Sequence, residues 1–206
     1  MIDALTVFVV DDDEAVRDSL TFLVESNGYT AKTYATAKEF IDSYHADEMP
    51  GCLLLDVRMP DMNGFELQRE LHNRNITIPI IFISAHGTVP TAVRALKLGA
   101  VDFIMKPFNH VALLEKIEHA LQIDKIGREA QCRKALIADR IATLTSREQD
   151  VMRLIVDGKS AKEIATLLGI SNKTVDVHRS HIKEKLGIKS VAELVKMAVS
   201  LEPDYH

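Results

Sequence analysis

The sequence of 206 residues predicts an α/β domain with a doubly wound, five-stranded parallel sheet, then a helical linker and a small all-α domain. Three observations lead to this prediction. Short apolar runs alternate with amphipathic helical patterns over residues 1–121, as in sheets buried on both faces. Helix-forming residues predominate over 122–141. Residues 142–206 show helical patterns only.

The predicted strands of the first domain are apolar runs that end at turn-forming or polar residues. They span residues 7–10, 29–34, 53–55, 78–83 and 101–105. The helices that follow them are predicted over residues 14–27, 37–44, 65–71, 89–98 and 111–121. Five β–α units of this length are typical of a flavodoxin-like sheet.

Polar side chains come directly after four of the five predicted strands, at the edge where open α/β sheets bind ligands. They are Asp11 and Asp12 after the first strand, Asp56 after the third, Ser84 after the fourth and Lys106 after the fifth. Three carboxylates repel one another unless a cation neutralises them, and oxygen ligands without His or Cys favour Mg²⁺. A lysine and a hydroxyl suit a phosphate. The pocket predicts in-line phosphoryl transfer with Asp56 as the nucleophile.

Two other classes of α/β protein fit these residues poorly. A dinucleotide-binding domain needs a Gly-x-Gly-x-x-Gly turn after its first strand, whereas the acidic run that starts at Asp11 would repel a pyrophosphate. A phosphatase that forms an aspartyl-phosphate usually resembles Asp-x-Asp at its nucleophile. Here Arg58 stands where the second Asp would be, and no helical cap domain is evident.

Charge and cysteine usage set further expectations. The net charge of −5 combines −8 in residues 1–120 with +3 in residues 121–206, which suggests two modules with different partners. Cys52 and Cys132 are far apart and are expected to be free thiols in a reducing cytosol, not a redox pair. No apolar run reaches about 18 residues and no signal peptide is evident, so we expect a cytoplasmic protein without a membrane span.

Residues 5–121 resemble a two-component receiver domain. The resemblance rests on Asp11-Asp12, Asp56, Ser84-Ala85, Phe103 and Lys106-Pro107, which all fall in register. It implies that Asp56 accepts a phosphoryl group from a sensor histidine kinase, and that Lys106 pairs with this group. It also implies a Mg²⁺ site formed by Asp12, Asp56 and the Arg58 backbone carbonyl, with Asp11 assisting through water.

The same resemblance implies a switch. Ser84 would move toward the phosphate while Phe103 rotates inward, and the peptide bond before Pro107 would be cis. Phe103 stands where the family more often has Tyr, so a hydrogen bond from a ring hydroxyl is absent. From the sequence alone, the alternative for Phe103 is a plain core aromatic residue. Asp13 is either a bystander or a helix N-cap.

The linker, residues 122–141, contains no proline and one glycine. Gly127 disfavours a helix by about 1 kcal/mol relative to Ala, yet the neighbouring residues still predict one. Apolar residues on one face of this helix could also pair with a second chain.

The last domain is predicted to contain four helices, the first capped by Thr145 or Ser146 and the second by Ser160. The turn Gly169-Ile170-Ser171 joins the second helix to a third over residues 173–186, and the fourth spans 190–199. Two helices joined by a short glycine-containing turn predict a helix-turn-helix. A small helical bundle that binds a protein partner is the alternative.

Residues 144–199 resemble the LuxR-type DNA-binding domain. The matching motifs are Leu-Thr-x-Arg-Glu, Lys-x-Ile-Ala-x-x-Leu, Ile-Ser-x-x-Thr-Val-x-x-His and Lys-Leu-Gly. The resemblance implies that the third helix enters the major groove, with Val175 and Ile182 facing the core. The residues expected to face DNA are Lys173, Thr174, Asp176, Val177, His178, Arg179, Ser180 and Lys183. Lys and Arg would mostly bind phosphates, whereas Asp176 would either accept from a cytosine amine or orient Arg179.

The whole chain is similar to FixJ-like, LuxR-type response regulators. We therefore expect a non-enzymatic transcriptional regulator whose phosphorylation, with Mg²⁺, alters dimerisation and DNA binding. The expected partners are a sensor histidine kinase, DNA and, when phosphorylated, a second copy of the chain; RNA polymerase is a further candidate. A receiver that acts by protein contact alone is the alternative function. An unphosphorylated pseudo-receiver is disfavoured because every pocket residue is present.

Overall fold

The computed structural model describes residues 5–45 and 50–200. The chain forms two compact units, residues 1–128 and 129–206. No helix in the described part of the chain is both long and apolar enough to cross a membrane.

The first unit is built on one parallel sheet in the order β2-β1-β3-β4-β5. Its strands are β1 (Thr6–Val10), β2 (Thr30–Tyr34), β3 (Gly51–Asp56), β4 (Ile80–Ser84) and β5 (Asp102–Met105). All residues of β1, β3 and β4 are buried, which explains their continuous apolar sequences. The predicted flavodoxin-like fold is confirmed.

Helices cover both faces of this sheet. They are α1 (Glu14–Glu25), α2 (Ala37–Ser43), α3 (Gly64–Asn73), α4 (Val89–Lys97) and α5 (His110–Ala142). Because side chains alternate along a strand, Phe8 and Leu53 pack under α2, α3 and α4, whereas Val7 and Leu54 pack under α1 and α5. Asp13 caps α1 as predicted, since its side chain accepts from the backbone N–H of Ala15 at 2.9 Å.

Gly64 lets α3 begin directly beside the end of β3. A Cβ atom at Gly64 would lie 2.3 Å from the backbone carbonyl oxygen of Asp56 and 2.9 Å from the ring of Phe82. Only glycine can therefore occupy this position without movement of the strand end. The first residue of α3 therefore lies against the end of β3.

Helix α5 continues without interruption for 33 residues and passes through Gly127, so the predicted linker is helical here. One buried side chain, Asp124, attaches the helix to the sheet. Its Oδ2 accepts from the backbone N–H of Gly51 at 2.9 Å and from Nε of Arg128 at 2.6 Å. The first unit therefore extends to residue 128. The domain boundaries placed at residues 121 and 142 stay predictions.

The second unit contains the four predicted helices. They are α6 (Ser146–Val156), α7 (Ala161–Leu168), α8 (Asn172–Leu186) and α9 (Val191–Val199). Thr145, Ser160 and Ser190 cap α6, α7 and α9. Helix α8 begins at Asn172, one residue earlier than expected, because the Ser171 side chain accepts from the backbone N–H of Thr174. The core includes Val175 and Ile182, both almost fully buried as predicted.

Candidate functional site

The carboxyl ends of β1, β3, β4 and β5 bring Asp11, Asp56, Ser84 and Lys106 to one edge of the sheet. Lys106 joins the two acids: its Nζ lies 2.6 Å from Oδ2 of Asp11 and 3.1 Å from Oδ1 of Asp56. Both carboxylates are buried and the lysine side chain is largely buried. Asp11 and Asp56 thus share one cation, the ammonium group of Lys106.

Asp56 is held by two donors. The backbone N–H of Arg58 donates to Oδ2 at 2.6 Å, while Lys106 donates to Oδ1. Burial raises the pKa of Asp56 above its usual range, and neighbouring Asp11 adds to this; the two donors act in the opposite direction without cancelling it. Burial lowers the pKa of Lys106, but the carboxylates of Asp11 and Asp56 outweigh burial and raise it overall. The lysine therefore remains a cation beside the carboxylate.

Asp12 does not join this buried pair. Its side chain is exposed, and the described residues contain no group of three or more His, Cys, Asp or Glu side chains that could hold a metal. Lys106 balances only one of the two buried negative charges, and the carboxylate of Asp12 lies in solvent. Arg17 stabilises this loop by donating from Nη1 to the backbone carbonyls of Asp11 and Asp12.

Ser84 and Phe103 lie on adjacent strands next to the pocket. The buried Ser84 hydroxyl accepts from the backbone N–H of His86 at 3.2 Å. The half-buried Phe103 ring lies 6.3 Å from the ring of Phe82. A Cβ atom at Gly87 would lie 2.5 Å from the Phe103 ring, so this glycine leaves space for the aromatic side chain. The Lys106–Pro107 peptide bond is cis, as the resemblance to receiver domains implies.

Helix α8 presents most of the predicted DNA-facing side chains to solvent. Lys173, Thr174, Asp176, Val177 and Ser180 are exposed, and His178, Arg179 and Lys183 are partly buried. No ion pair joins Asp176 to Arg179 among the contacts of the described residues, so the structure does not support the orienting role weighed for Asp176. Nδ1 of His178 is buried and has no hydrogen-bond partner in the part of the chain that the structure describes.

One structural contact that the sequence analysis missed is that of Glu148, which attaches α6 to α8. Its Oε2 accepts from Nζ of Lys185 at 2.7 Å and from the backbone N–H of Thr145 at 2.8 Å. The hydrogen bond from Lys185, followed by that from Thr145, lowers the pKa of Glu148 to about 2 although burial opposes the shift. The Leu-Thr-x-Arg-Glu motif and its capping box were the available signal, but neither reveals the lysine 37 residues away.

Comparison with known proteins identifies both units. Residues 7–118 match the family model described as "Response regulator receiver domain", and residues 142–198 match "Bacterial regulatory proteins, luxR family". The chain is a response regulator with a LuxR-type domain.

Full-length relatives share both halves of this response regulator. It is 44% identical over 193 residues to the transcriptional regulatory protein TdiR of Thauera aromatica, covering 94% of this chain and 85% of the relative. It is also 44% identical over 196 residues to the transcriptional regulatory protein FixJ of Rhizobium meliloti strain 1021, covering 95% of each. The solved structure of the response regulator StyR has a TM-score of 0.82 at 44% identity, covering 95% of this chain and 98% of that one.

These relatives confirm the predicted function as a transcriptional regulator of the two-component class. They support the regulatory role over the alternative of a receiver that acts by protein contact alone. A receiver domain implies a histidine kinase partner, and a LuxR-type domain implies DNA binding.

Proposed function

We propose that Asp56 is the phosphoryl acceptor of this response regulator and that a sensor histidine kinase is the donor. The observation that carries the proposal is the buried Asp11–Lys106–Asp56 arrangement at the carboxyl edge of the sheet. A carboxylate oxygen of Asp56 attacks the phosphorus atom of a phosphohistidine, the P–N bond breaks, and the leaving imidazole takes up a proton. Lys106 then lies where it can pair with the new phosphoryl oxygens.

The oxygen donors of this pocket fit Mg²⁺, which prefers carboxylates and backbone carbonyls and retains several waters. In the proposal Asp12, Asp56 and the Arg58 carbonyl hold the ion, and Asp11 supports it through water. Bound Mg²⁺ supplies positive charge to the transferring phosphoryl group. The side chain of Asp12 is exposed and is therefore available for this role.

Ser84 and Phe103 form the proposed switch. Since the Ser84 hydroxyl accepts from His86, its own proton remains available for a phosphoryl oxygen. A shift of Ser84 moves the loop that contains Gly87, against which Phe103 packs. Reorientation of Phe103 would then alter the surface of α4 and β5.

That surface is the proposed dimer interface of the phosphorylated protein. It exposes apolar side chains on α4, β5 and the start of α5, namely Val89, Leu96, Met105 and Val111. A dimer would place two α8 helices on adjacent half-sites of DNA, with the α8 residues named above as contacts. RNA polymerase is a further proposed partner. The proposal includes a cytoplasmic location, where the chromosome lies.

The decisive experiment measures DNA binding and dimer fraction with Mg²⁺, before and after addition of acetyl phosphate. We expect both quantities to rise for the wild type and to stay constant for Asp56→Asn. Asp13→Asn is the matched control, because it preserves an N-cap side chain and lies outside the acidic pair. Phosphorylation that persists in Asp56→Asn, detected by intact mass, would contradict the assignment.

A further inference from the structure

A wide groove runs between α3 and α4 of the first unit, with a volume of about 1320 Å³. Its apolar lining includes Phe65, Val93 and Leu98. The volume exceeds the roughly 300–1,000 Å³ typical of pockets that enclose a small molecule. Two helices of about 15 Å that flank an open apolar channel instead match the dimensions of a helix-in-groove site.

The rim of this α3–α4 groove is cationic although the unit around it is acidic. Arg58, Arg69, Arg94 and Lys97 line it, against one acid, Glu66. Residues 1–120 carry a net charge of −8, so the positive charge is concentrated locally. Arg94 stacks on Phe65, with 4.6 Å from its guanidinium carbon to the ring centroid. Among the described contacts, no carboxylate pairs with Arg69 or Lys97, both of which are exposed.

Gln68 forms part of the wall of the groove. Gln68 is 6% exposed, and its Nε2 donates to the backbone carbonyl of Leu98 at 3.0 Å. This bond fixes the orientation of the amide, because only the nitrogen can donate to a carbonyl. Oε1 of Gln68 is then buried without a partner within the described residues. The Gln68 amide therefore belongs to the wall of the groove, and its NMR signals report on a ligand that binds there.

We propose that the α3–α4 groove binds an acidic amphipathic helical segment of a partner protein. Acidic side chains of the segment pair with Arg69 and Lys97, and its apolar face covers Phe65 and Val93. The first turn of a helix favours Asp and Glu, so the acids of the segment lie at its N-terminus. The groove adjoins the phosphorylation pocket, because Arg58 lines it and donates its backbone N–H to Asp56, and it is distinct from the α8 residues proposed to contact DNA.

The test uses the full-length protein and a synthetic peptide helix of about 15 residues, a length at which isolated helices become stable. The peptide carries Asp and Glu in its first turn and Leu and Phe at i and i+4 positions. The matched peptide carries Asn and Gln in place of the acids. Binding is followed by fluorescence anisotropy and by NMR shifts of the α3 and α4 amides and of the Gln68 side-chain amide.

We expect the acidic peptide to shift these resonances and to bind at least about tenfold more weakly to Arg69→Glu/Lys97→Glu. Arg74→Glu, at the end of α3 outside the groove, should bind like the wild type. Arg69→Gln/Lys97→Gln should give an intermediate loss without a charge reversal. The proposal would be overturned if the uncharged peptide bound with the same affinity as the acidic one, or if Arg74→Glu lost as much affinity as the double variant. It would also be overturned if benzoate, a small aromatic carboxylate, alone caused the same NMR shifts.

Discussion

Replacing Glu148 by Gln should destabilise the LuxR-type domain through the contact between α6 and α8. The carboxylate is 3% exposed, and its pKa is lowered from 4.5 to about 2. One pKa unit corresponds to about 1.4 kcal/mol, which sets a ceiling of about 3 kcal/mol for the ionised form. The Lys185 side chain is 36% exposed, so solvent screens the pair. We expect a loss of about 1–2 kcal/mol in the free energy of unfolding.

Hydrogen exchange of the full-length protein measures this loss locally, which suits a chain that contains no Trp. Amides of α6 and α8 should exchange about 5–30 times faster in Glu148→Gln than in the wild type. Glu163→Gln is the matched control, since Glu163 closes the same kind of capping box with Ser160 but is exposed. If both variants accelerate exchange equally, the contact with Lys185 contributes nothing beyond the cap, and the reasoning is refuted.

The pH dependence of the effect has a defined sign. The folded-state pKa of Glu148 is lower than its unfolded value, so the stabilisation is complete above pH 4.5 and disappears as the pH falls toward about 2. The free energies of unfolding of the wild type and Glu148→Gln, measured with urea, should therefore become equal as the pH is lowered. If the difference in stability stayed constant between pH 4.5 and about 2, the effect of the substitution would come from packing and not from the charge of Glu148.

Three other perturbations probe the receiver domain. Asp124→Ala should leave the buried N–H of Gly51 unpaired, lower the free energy of unfolding by about 1–3 kcal/mol and accelerate hydrogen exchange in the second half of α5. Unchanged protection of these amides would count against the contact. Gly64→Ala should destabilise the receiver domain by about 1–3 kcal/mol and slow phosphorylation, because its Cβ would collide with the end of β3. An unchanged melting temperature and phosphorylation rate would contradict this. Lys106→Met should raise the pKa of Asp56 further in a carboxyl ¹³C NMR titration, and a lower value would be inconsistent with the observed pair.

The receiver fold could be predicted because the apolar runs and the helix-capping residues of the sequence favour the same structure. Apolar runs as continuous as Leu53-Leu54-Leu55 require burial on both faces of a parallel sheet. Cap residues such as Asp13 and Thr145 locate helix starts to within a residue. Once the strands are parallel, their carboxyl ends must meet, which is why Asp56 and Lys106 were expected in one pocket.

The pairing of individual charges could not be predicted in the same way. Nothing local to Asp11 or Asp12 indicates that only the first is buried against Lys106, because that choice depends on atoms almost a hundred residues away. Asp124 lies in a stretch of charged helix formers and its burial follows only from the position of Gly51. The α3–α4 groove is likewise a product of how two helices diverge over the sheet.

The bond between Asp124 and Gly51 sets the rotational phase of α5. The helix cannot slide or turn on the sheet without leaving a buried N–H unpaired. Every residue beyond this point then has an angular position measured from Asp124, advancing by about 100° per residue. Inserting one residue after Gly127 would turn the rest of α5 by that angle, while four residues would restore it to within about 40°. The number of residues in α5 therefore fixes the side of the helix on which each later side chain lies.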